Sequence, residues 1–503
     1  MLLSWTSAQV RAAEEPLLAA GVPLMDRAAF ALATRVGALL RERRGRTTGT
    51  RVLLLVGPGN NGGDALFAGA HLARRGVRVD AVTVDDRVHA AGAAALRDAG
   101  GRVAEADDEH VQALTGAADV VLDGLLGIGA SGGLRGRAAD VVALVTRARE
   151  DDEEPALVVA VDVPSGIGVD DGAVSGSVLP ADVTVTFGGA KPGLLLPPAT
   201  SVAGLVEVVD VGLDLADGPA IARLQDDDVA DLWPVPGPQA HKYTRGVVGV
   251  IAGARRYPGA AVLSSTAAVL TGVGMVRYLG DVADLVVARR PEVVPGVGRV
   301  QAWVFGPGVS PDDAAQRRRI EHAWEGVQQR GEAAVCDAGA LALLPAHVGP
   351  HVIITPHAGE LATVLGARGE RVDRAGVEAE PLRWARRAHE LTGATVLLKG
   401  HVTVVVGAQG AVYTQADAPA WLSTAGSGDV LAGLLGALLA GRADDIHEDP
   451  SLAAALGAAA ALVHGRAAHR ANPHGPVSAR MVARALPDTI AALLTGRTAH
   501  PSA

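Results

Sequence analysis

Cysteine and aromatic residues are scarce in this sequence, and their scarcity excludes several kinds of structure. Cys336 is the one cysteine among 503 residues, so no disulfide can form within the chain and no cysteine-based metal site is available. It lies in the apolar stretch AAVCDAG, which favours a buried structural thiol. Aromatic residues make up 3% of the chain and hydrophobic residues 49%, so its cores must be built from Ala, Val and Leu.

Long basic runs and a signal sequence are also missing. The net charge of −10 without a basic run argues against general binding to DNA or RNA. The start, MLLSWTSAQVRAAEE, lacks the basic region and long apolar run of a signal peptide, so we expect a cytoplasmic protein without a membrane partner. The most apolar segment, residues 259–280, contains serines, threonines and several glycines, which predicts a buried helix and not a membrane span.

The length and the pattern of apolar runs predict two α/β domains. A chain of 503 residues exceeds one ordinary core. Short β-branched runs alternate with helix-like segments in both halves, which is typical of parallel sheets covered by helices on both faces. In such sheets, ligands bind beyond the carboxyl ends of the strands. The stretch 216–240, rich in Asp and Pro, is the predicted linker between a domain at 1–215 and one at 241–503. We predict strands at 52–56, 119–123, 157–163, 182–187 and 205–211, then at 247–252, 302–305, 333–336, 352–355, 395–398 and 402–406.

The first predicted strand runs into a glycine-rich turn, GPGNNGGDA, at residues 57–65. A strand, a glycine turn and a helix start together form an arrangement that cradles phosphate. The alternative is a plain strand-to-helix turn in which Asn and Gly supply positive φ angles. That alternative leaves the two adjacent asparagines and Asp64 unexplained.

Two further predicted strand ends carry polar side chains. Asp123 precedes GLLGIG, and Asp162 and Ser165 lie in VDVPSG. Asn61, Asp123 and Ser165 therefore offer hard oxygen ligands from three strand ends, a set that suits a large monovalent or hard cation. Either Asp alone could be a helix cap or turn former, but equivalent positions on successive strands favour a shared site.

The motifs GPGNNGGD, DGLLGIG and DVPSG resemble those of the YjeF N-terminal family, the NAD(P)H-hydrate epimerases, over residues 8–214. The turn reads GDAL where many relatives have GDGL. The resemblance implies a Rossmann-like parallel αβα sandwich, a potassium ion held by Asn61, Asp123 and Ser165, and Asp162 as the catalytic residue. Asp162 would move the proton and steady an iminium ion formed when hydroxide leaves the carbon beside the ring nitrogen. The residues implied to line the hydrate site, besides Asp162, are Asn60, Asn61, Gly62, Gly63, Asp64, Gly127, Ile128, Gly129, Ala130, Ser131, Gly132 and Gly133.

The strongest motif of the second half is STAGSGDVLAG, at residues 423–433. A glycine-rich turn opens a helix there, with Asp429 in its first turn. Backbone N–H groups at a helix start can hold a phosphate, and a carboxylate beside them can act as a base toward a hydroxyl. The alternative is that Asp429 only caps the helix.

TAGSGD resembles the ribokinase-like superfamily, which implies a second αβα domain. One branch of this superfamily, the NAD(P)H-hydrate dehydratases, is similar to residues 239–494. The motifs that carry this similarity are HKYTRG, YPGAA, FGPGVS and ITPHAGE, followed by LLKGHVT. The resemblance implies that Ala260, Gly308, His357 and the catalytic Asp429 contact the hydrate, although Ala261 fits the position of Ala260 equally. His357 could instead be a packed histidine, and Lys399 a solvated loop residue. The implied adenine-nucleotide contacts are Lys399, Gly400, His401, Val402, Thr403 and Gly428.

Together the two resemblances imply a bifunctional repair enzyme for hydrated NADH and NADPH (NADHX and NADPHX). The first domain would interconvert the R and S hydrates, and the second would dehydrate the S form with ADP or ATP and Mg²⁺. The sequence does not separate ADP from ATP. We expect a homo-oligomer, since relatives often assemble. Two alternatives stay open. The chain could be a vitamin or sugar kinase with an appended N-terminal domain, or its first half could be a binding or assembly module without enzymatic activity.

Overall fold

The structure is a computed structural model that describes residues 1–129, 132–310 and 312–499. The chain divides into two compact units, Leu3–Ile221 and Ala222–Ala503, and Met1–Leu2 group with the second. Both are α/β units built on largely parallel sheets, as the sequence predicts.

The first unit contains a sheet of seven parallel strands in the order β4-β3-β2-β5-β6-β7-β8. Its elements in chain order are β1 (Leu2–Ser4), α1 (Ser7–Ala19), α2 (Leu24–Arg44), β2 (Arg51–Val56), α3 (Asn60–Ala73), β3 (Arg78–Thr83), α4 (Ala90–Asp98), β4 (Arg102–Glu105), α5 (Asp108–Ala117), β5 (Val120–Gly124), α6 (Gly136–Glu150), β6 (Leu157–Val161), β7 (Val183–Phe187), α7 (Pro192–Leu195) and β8 (Leu205–Val209).

Alternate side chains of strand β2 enter two different cores. Val52, Leu54 and Val56 pack with residues of α2 and α3, whereas Leu53 and Leu55 pack with residues of α5 and α6. This follows from the two-residue period of a strand, and it explains the continuous apolar run, because both faces of the sheet are covered. The strands β3 and β4 were not predicted. Their charged residues, such as Asp80 and Arg102, interrupt the apolar pattern.

In the second unit the strands follow the order β9-β18-β17-β16-β15-β14-β13-β10-β11-β12. Neighbours are parallel except for β16–β17 and β17–β18, which are antiparallel. The elements are β9 (Ile221–Arg223), α8 (Asp226–Leu232), β10 (Val247–Ile251), α9 (Pro258–Thr271), β11 (Met275–Tyr278), α10 (Ala283–Arg289), β12 (Val294–Pro295), β13 (Ala302–Phe305), α11 (Ala314–Arg330), β14 (Ala333–Cys336), β15 (Val352–Ile354), α12 (Ala358–Gly366), α13 (Arg374–Ala379), α14 (Pro381–Thr392), β16 (Thr395–Leu398), β17 (Thr403–Val406), β18 (Val412–Gln415), α15 (Ser427–Gly441), α16 (Ala443–Glu448), α17 (Leu452–Ala471) and α18 (Ala479–Ala499).

Two local predictions differ from the structure. The proposed linker 216–240 holds strand β9 and helix α8, because apolar residues such as Val229 and Trp233 are buried there. The segment 259–280 is not one helix: α9 ends at Gly272, whose φ of 98° stops it, and β11 follows. Cys336 is fully buried at the end of β14, as expected of a structural thiol.

No single helix in the described part of the chain is long and apolar enough to cross a membrane. The bent pair Ser7–Ala19 and Leu24–Arg44 meets that criterion jointly, by length and composition alone.

Candidate active sites

A cavity of about 530 Å³ opens at the carboxyl ends of the strands of the first unit. The turn after β2, the segment after β5 and the ends of β6 and β7 all reach it, as expected for a parallel sheet. Its lining residues are Arg11, Glu14, Leu18, Leu24, Met25, Ala28, Pro58, Gly59, Asn60, Asn61, Asp64, Leu125, Leu126, Gly127, Ile128, Gly129, Asp162, Phe187, Lys191 and Val211.

Asp162 is held in the cavity by an ion pair that the sequence did not reveal. Its Oδ1 accepts hydrogen bonds from the ammonium group of Lys191, from Thr186 Oγ1 (3.0 Å) and from the backbone N–H of Phe187 (3.2 Å). Lys191 is only 1% exposed and also donates to Thr186 Oγ1 and to the carbonyl oxygen of Phe187, both at 3.0 Å. Asp162 has a φ of 65°, a strained value for a non-glycine residue that is characteristic of functional sites.

Two further carboxyl groups face the same cavity. Burial raises the pKa of Asp64 well above its usual value, and the negative charges of Asp162 and Glu14 add to the effect, while Lys191 opposes it. Burial also raises the pKa of Glu14, against the lowering influence of Lys191. The first site therefore combines several acidic groups with one buried ammonium.

The side chains of three residues come together around the backbone of Leu126: Asn61, Asp123 and Ser165. Asp123 is fully buried. Its two oxygens accept from Ser165 Oγ at 2.6 Å and from the Ser165 N–H at 2.8 Å. Asn61 Nδ2 donates to the carbonyl oxygen of Leu126 at 2.9 Å, and the Leu126 N–H donates to Ser165 Oγ at 2.8 Å. Burial raises the pKa of Asp123 despite the hydrogen bonds from Ser165 and Leu125.

The other predicted residues of this site divide into three groups. Asn60, Gly127, Ile128 and Gly129 line the cavity. Four glycines are not among the residues that line the cavity: Gly62, Gly63, Gly132 and Gly133. A Cβ on Gly62 would lie 2.2 Å from the Gly57 oxygen, and one on Gly133 would lie 1.8 Å from the Ser175 oxygen. These two glycines therefore allow close backbone packing. Ala130 and Ser131 lie outside the described residues.

Asp429 occupies the first turn of α15, which begins after Gly426 in the left-handed conformation. The ammonium of Lys399 pairs with Asp337 Oδ1 at 2.7 Å, and Asp337 Oδ1 also accepts from Thr355 Oγ1 at 2.8 Å. A Cβ on Gly428 would lie 3.5 Å from Lys399 Nζ. Lys399 therefore lies against the start of α15.

The electrostatic surroundings of Asp429 suit a base. Burial raises its pKa to about 6, the charge of Asp337 adds to the rise, and that of Lys399 opposes it. A general base works best with a pKa near the pH of the reaction. The pKa of Lys399 itself is raised, since Asp337 and Glu360 outweigh the lowering effect of burial.

His357 has a clear structural role in addition to any contact with substrate. Its Nδ1 accepts from the N–H groups of Gly359 (3.1 Å) and Glu360 (3.2 Å), and Glu360 Oε2 accepts from the His357 N–H at 2.8 Å. This reciprocal arrangement caps α12. The ring remains exposed, and residue 357 forms a parallel bridge with Lys399, which brings ITPHAGE and LLKGHVT together.

The remaining predicted residues of the second site lie at the start of α9, in the loop after β13 and in the segment between β16 and β17. A Cβ on Gly308 would lie 2.6 Å from Ala260 Cβ, so the FGPGVS and YPGAA motifs are in contact. Gly400 and His401 are exposed, Val402 is buried, and Thr403 begins β17.

Comparison with known proteins covers both units. Family models described as YjeF-related protein N-terminus and as NAD(P)H-hydrate dehydratase match residues 22–193 and 248–491. The bifunctional NAD(P)H-hydrate repair enzyme Nnr of Mycobacterium tuberculosis is 45% identical over 447 residues, which are 86% of this chain and 88% of that protein. The chain belongs to this family of bifunctional NAD(P)H-hydrate repair enzymes. The family predicted from the motifs is confirmed.

Relatives of the separate parts of this repair-enzyme family are also similar. An NAD(P)H-hydrate epimerase of Clavibacter sepedonicus is 49% identical over 225 residues, 44% of this chain and 94% of that protein. A crystal structure of an ADP/ATP-dependent NAD(P)H-hydrate dehydratase from Bacillus subtilis is 25% identical and covers 54% of this chain and 98% of its own, with a TM-score of 0.46.

The sequence motifs did not predict several charged residues of the two sites in this repair enzyme. Lys191 and Glu14 in the first site, and Asp337 and Glu360 in the second, were not singled out. Asp337 directly follows the predicted strand 333–336, so the rule that identified Asp123 applies to it equally. Lys191 and Glu14 follow no strand end directly, and only the folded chain brings them to Asp162.

Proposed function

We propose that the first unit interconverts the R and S forms of NAD(P)H hydrate and that the second dehydrates the S form to NAD(P)H at the expense of ADP or ATP. The observation that carries the proposal is that each unit has its own site built around a carboxylate. The first site pairs Asp162 with a buried ammonium. The second places Asp429 at a glycine-rich helix start. The hydrated cofactors NADHX and NADPHX are the proposed substrates.

Epimerisation in the first site requires stabilisation of a positively charged intermediate. Loss of the hydroxyl from the carbon beside the ring nitrogen leaves an iminium ion, and addition of water to its other face gives the opposite epimer. Asp162 supplies negative charge to this cation. Lys191 and Thr186 fix the carboxylate through their hydrogen bonds to its Oδ1, so Asp162 does not have to reorganise during the reaction.

The residues around Asp123 fit a potassium ion. The Asp123 carboxylate, Ser165 Oγ, the Leu126 carbonyl and the side chain of Asn61 supply neutral oxygens and a single formal charge within one cluster, and a low charge count suits a monovalent ion. Asp123 is fully buried and its pKa is raised by burial, so a bound cation would stabilise its charged form. When bound, the ion would neutralise this charge and fix the segment 123–127.

Replacement of Asp123 by Ala should lower the epimerase rate and remove its response to potassium. The physical reason is the loss of the charged ligand of the cluster. Epimerase turnover measured in KCl and in tetramethylammonium chloride, at equal ionic strength, checks this, with Asp98→Ala as an exposed control. Equal wild-type rates in the two salts would contradict the potassium site.

In the second site the poor leaving group is the hydroxyl of the S hydrate. Asp429 takes the proton of this hydroxyl while a phosphoryl group of the nucleotide is transferred to it or hydrolysed in step with its departure. The N–H groups of residues 425–428, at the start of α15, hold the phosphoryl group, and Lys399 adds positive charge beside Gly428.

The proposed nucleotide contacts are Lys399, Gly400, His401, Val402, Thr403 and Gly428. The described residues include no cluster of three or more His, Cys, Asp or Glu side chains arranged to hold a metal ion. Mg²⁺ would therefore be held mainly by the phosphates of the nucleotide, as is common for this ion. When bound, it would neutralise phosphate charge.

The dehydratase should lose activity as the pH falls through about 6. A base must be deprotonated to act, and the pKa of Asp429 is raised to about 6. Replacement of Asp337 by Asn removes a negative neighbour that raises this pKa, so the acid limb should move to lower pH. The measurement is kcat/KM for the hydrate from about pH 5 to 8. A profile that is flat across this range in the wild-type chain would count against Asp429 as the base.

The proposed function is tested by incubating mixed R and S hydrates of NADH with the chain and ADP or ATP. Absorbance at the NADH band should recover completely with one of the nucleotides and should not recover without them. Recovery without nucleotide, or none with either nucleotide, would refute the dehydratase assignment.

A further inference from the structure

Asp64 is a buried carboxyl group with no assigned chemical task. It lies on α3 and lines the cavity of the first unit together with Asp162, Lys191 and Glu14. Its Oδ1 is buried and has no hydrogen-bond partner among the described residues. A buried polar atom without a partner is costly, and a carboxyl group with such an oxygen favours its uncharged, protonated form.

The neighbouring Asp162 is poorly placed to carry the proton. Its Oδ1 already accepts from Lys191, Thr186 and the backbone of Phe187. These contacts hold it as one member of an ion pair. Of the three carboxyl groups that line the cavity, Asp162 is paired with an ammonium, whereas Asp64 keeps one oxygen buried without a hydrogen-bond partner among the described residues. Such divergent environments separate an electrostatic stabiliser from an acid.

We propose that Asp64, and not Asp162, is the group that carries the proton in epimerisation. This inference rests on the proposed epimerase function of the first unit. Asp64 in its carboxylic acid form donates its proton to the hydroxyl of the hydrate. The C–O bond breaks, water leaves, and the lone pair of the ring nitrogen forms the C=N bond of the iminium ion. Water then adds to the opposite face and returns its proton to the Asp64 carboxylate, so atoms and charges balance.

The charged groups around Asp64 support this role. Burial raises its pKa well above the usual value, Asp162 and Glu14 raise it further, and Lys191 lowers it. Arg11 also lines the cavity and acts on Glu14. The net rise favours the protonated acid, the form that the departing hydroxyl needs. The charge of Asp162 then remains available to the iminium ion.

The direct test is Asp64→Asn in the full-length chain, with conversion of one purified epimer into the other followed by chromatography without nucleotide. Asn keeps the size and polarity of the side chain but cannot donate an acidic proton. We expect kcat to fall by on the order of 10²–10⁴-fold with a much smaller change in KM. The exposed Asp98→Asn is the matched control, and thermal unfolding of the two variants shows whether both are folded. A raised KM with kcat unchanged would mean that Asp64 only binds the substrate, which would overturn the proposal.

The pH dependence supplies a second, independent readout. In the wild-type chain kcat should fall as the pH rises through the pKa of Asp64, because the acid form is lost. Glu14→Gln removes a negative charge that raises this pKa, so the alkaline limb should move to lower pH, and in Asp64→Asn the limb should be absent. An unchanged limb in Asp64→Asn would overturn the proposal. A wild-type chain that does not interconvert the epimers would instead refute the proposed epimerase itself, and this inference with it.

Discussion

Replacing Asp429 with Ala should abolish nucleotide-dependent dehydration while epimerisation continues at its normal rate. Asp429 lies at the start of α15, and its pKa of about 6 suits a base that takes the proton of the hydrate hydroxyl. Removal of a general base typically lowers a rate on the order of 10²–10⁴-fold. The readouts are NADH recovery with ADP or ATP, and epimer conversion measured on the same sample.

Asp444→Ala is the matched control for this variant, because Asp444 is exposed in the first turn of the next helix, α16. It should dehydrate the S hydrate at the wild-type rate. Asp429→Asn should be as inactive as Asp429→Ala, since it keeps the shape but not the base. Near-normal dehydration by either Asp429 variant would reject the assignment.

Asp162→Ala should produce a different defect, in which consumption of an equal mixture of R and S hydrates stalls at about half. In the proposed scheme only the S form is dehydrated, so the R form accumulates when the first site cannot convert it. Slow spontaneous epimerisation should be the only remaining route. The loss arises because Asp162 supplies the negative charge that steadies the iminium ion.

This variant also leaves the buried Lys191 without its carboxylate partner, and an unpaired buried charge is destabilising. The double variant Asp162→Asn with Lys191→Met removes both charges and should stall at the same point. If an Asp162 variant consumed both epimers as fast as the wild-type chain, the charge of Asp162 would not be part of the epimerase site.

The sequence was sufficient to predict residues that lie at strand ends within motifs. Asn61, Asp123 and Ser165 were grouped on that basis, and the structure joins them through Leu126. Asp429 was predicted from a different signal, a glycine-rich turn that opens a helix, and it lies in the first turn of α15. Strand-end residues can be grouped in this way because the carboxyl ends of parallel strands meet at one edge of the sheet, so the position in the chain determines the position in space. Their roles as ligands stay predictions.

Other features depend on contacts that a linear pattern does not contain. Lys191 reaches Asp162 only through the path of the segment after β7, which brings its ammonium to Asp162 and to the carbonyl oxygen of Phe187. Strand β17 runs antiparallel to both of its neighbours, β16 and β18, in a sheet that the apolar runs predicted as parallel. Buried strands of either direction have similar composition, so register and direction come from the loops and the tertiary packing.

If one chain carries two separate activities, two variants that are each inactive at a different site should complement one another. Mixed R and S hydrates of NADH are incubated with a nucleotide and Asp162→Ala, with Asp429→Ala, or with both variants together. We expect a stall at about half with the first, no dehydration with the second, and complete recovery of NADH absorbance with the mixture. A mixture that still stalls at half would show that the two residues do not serve separable epimerase and dehydratase sites.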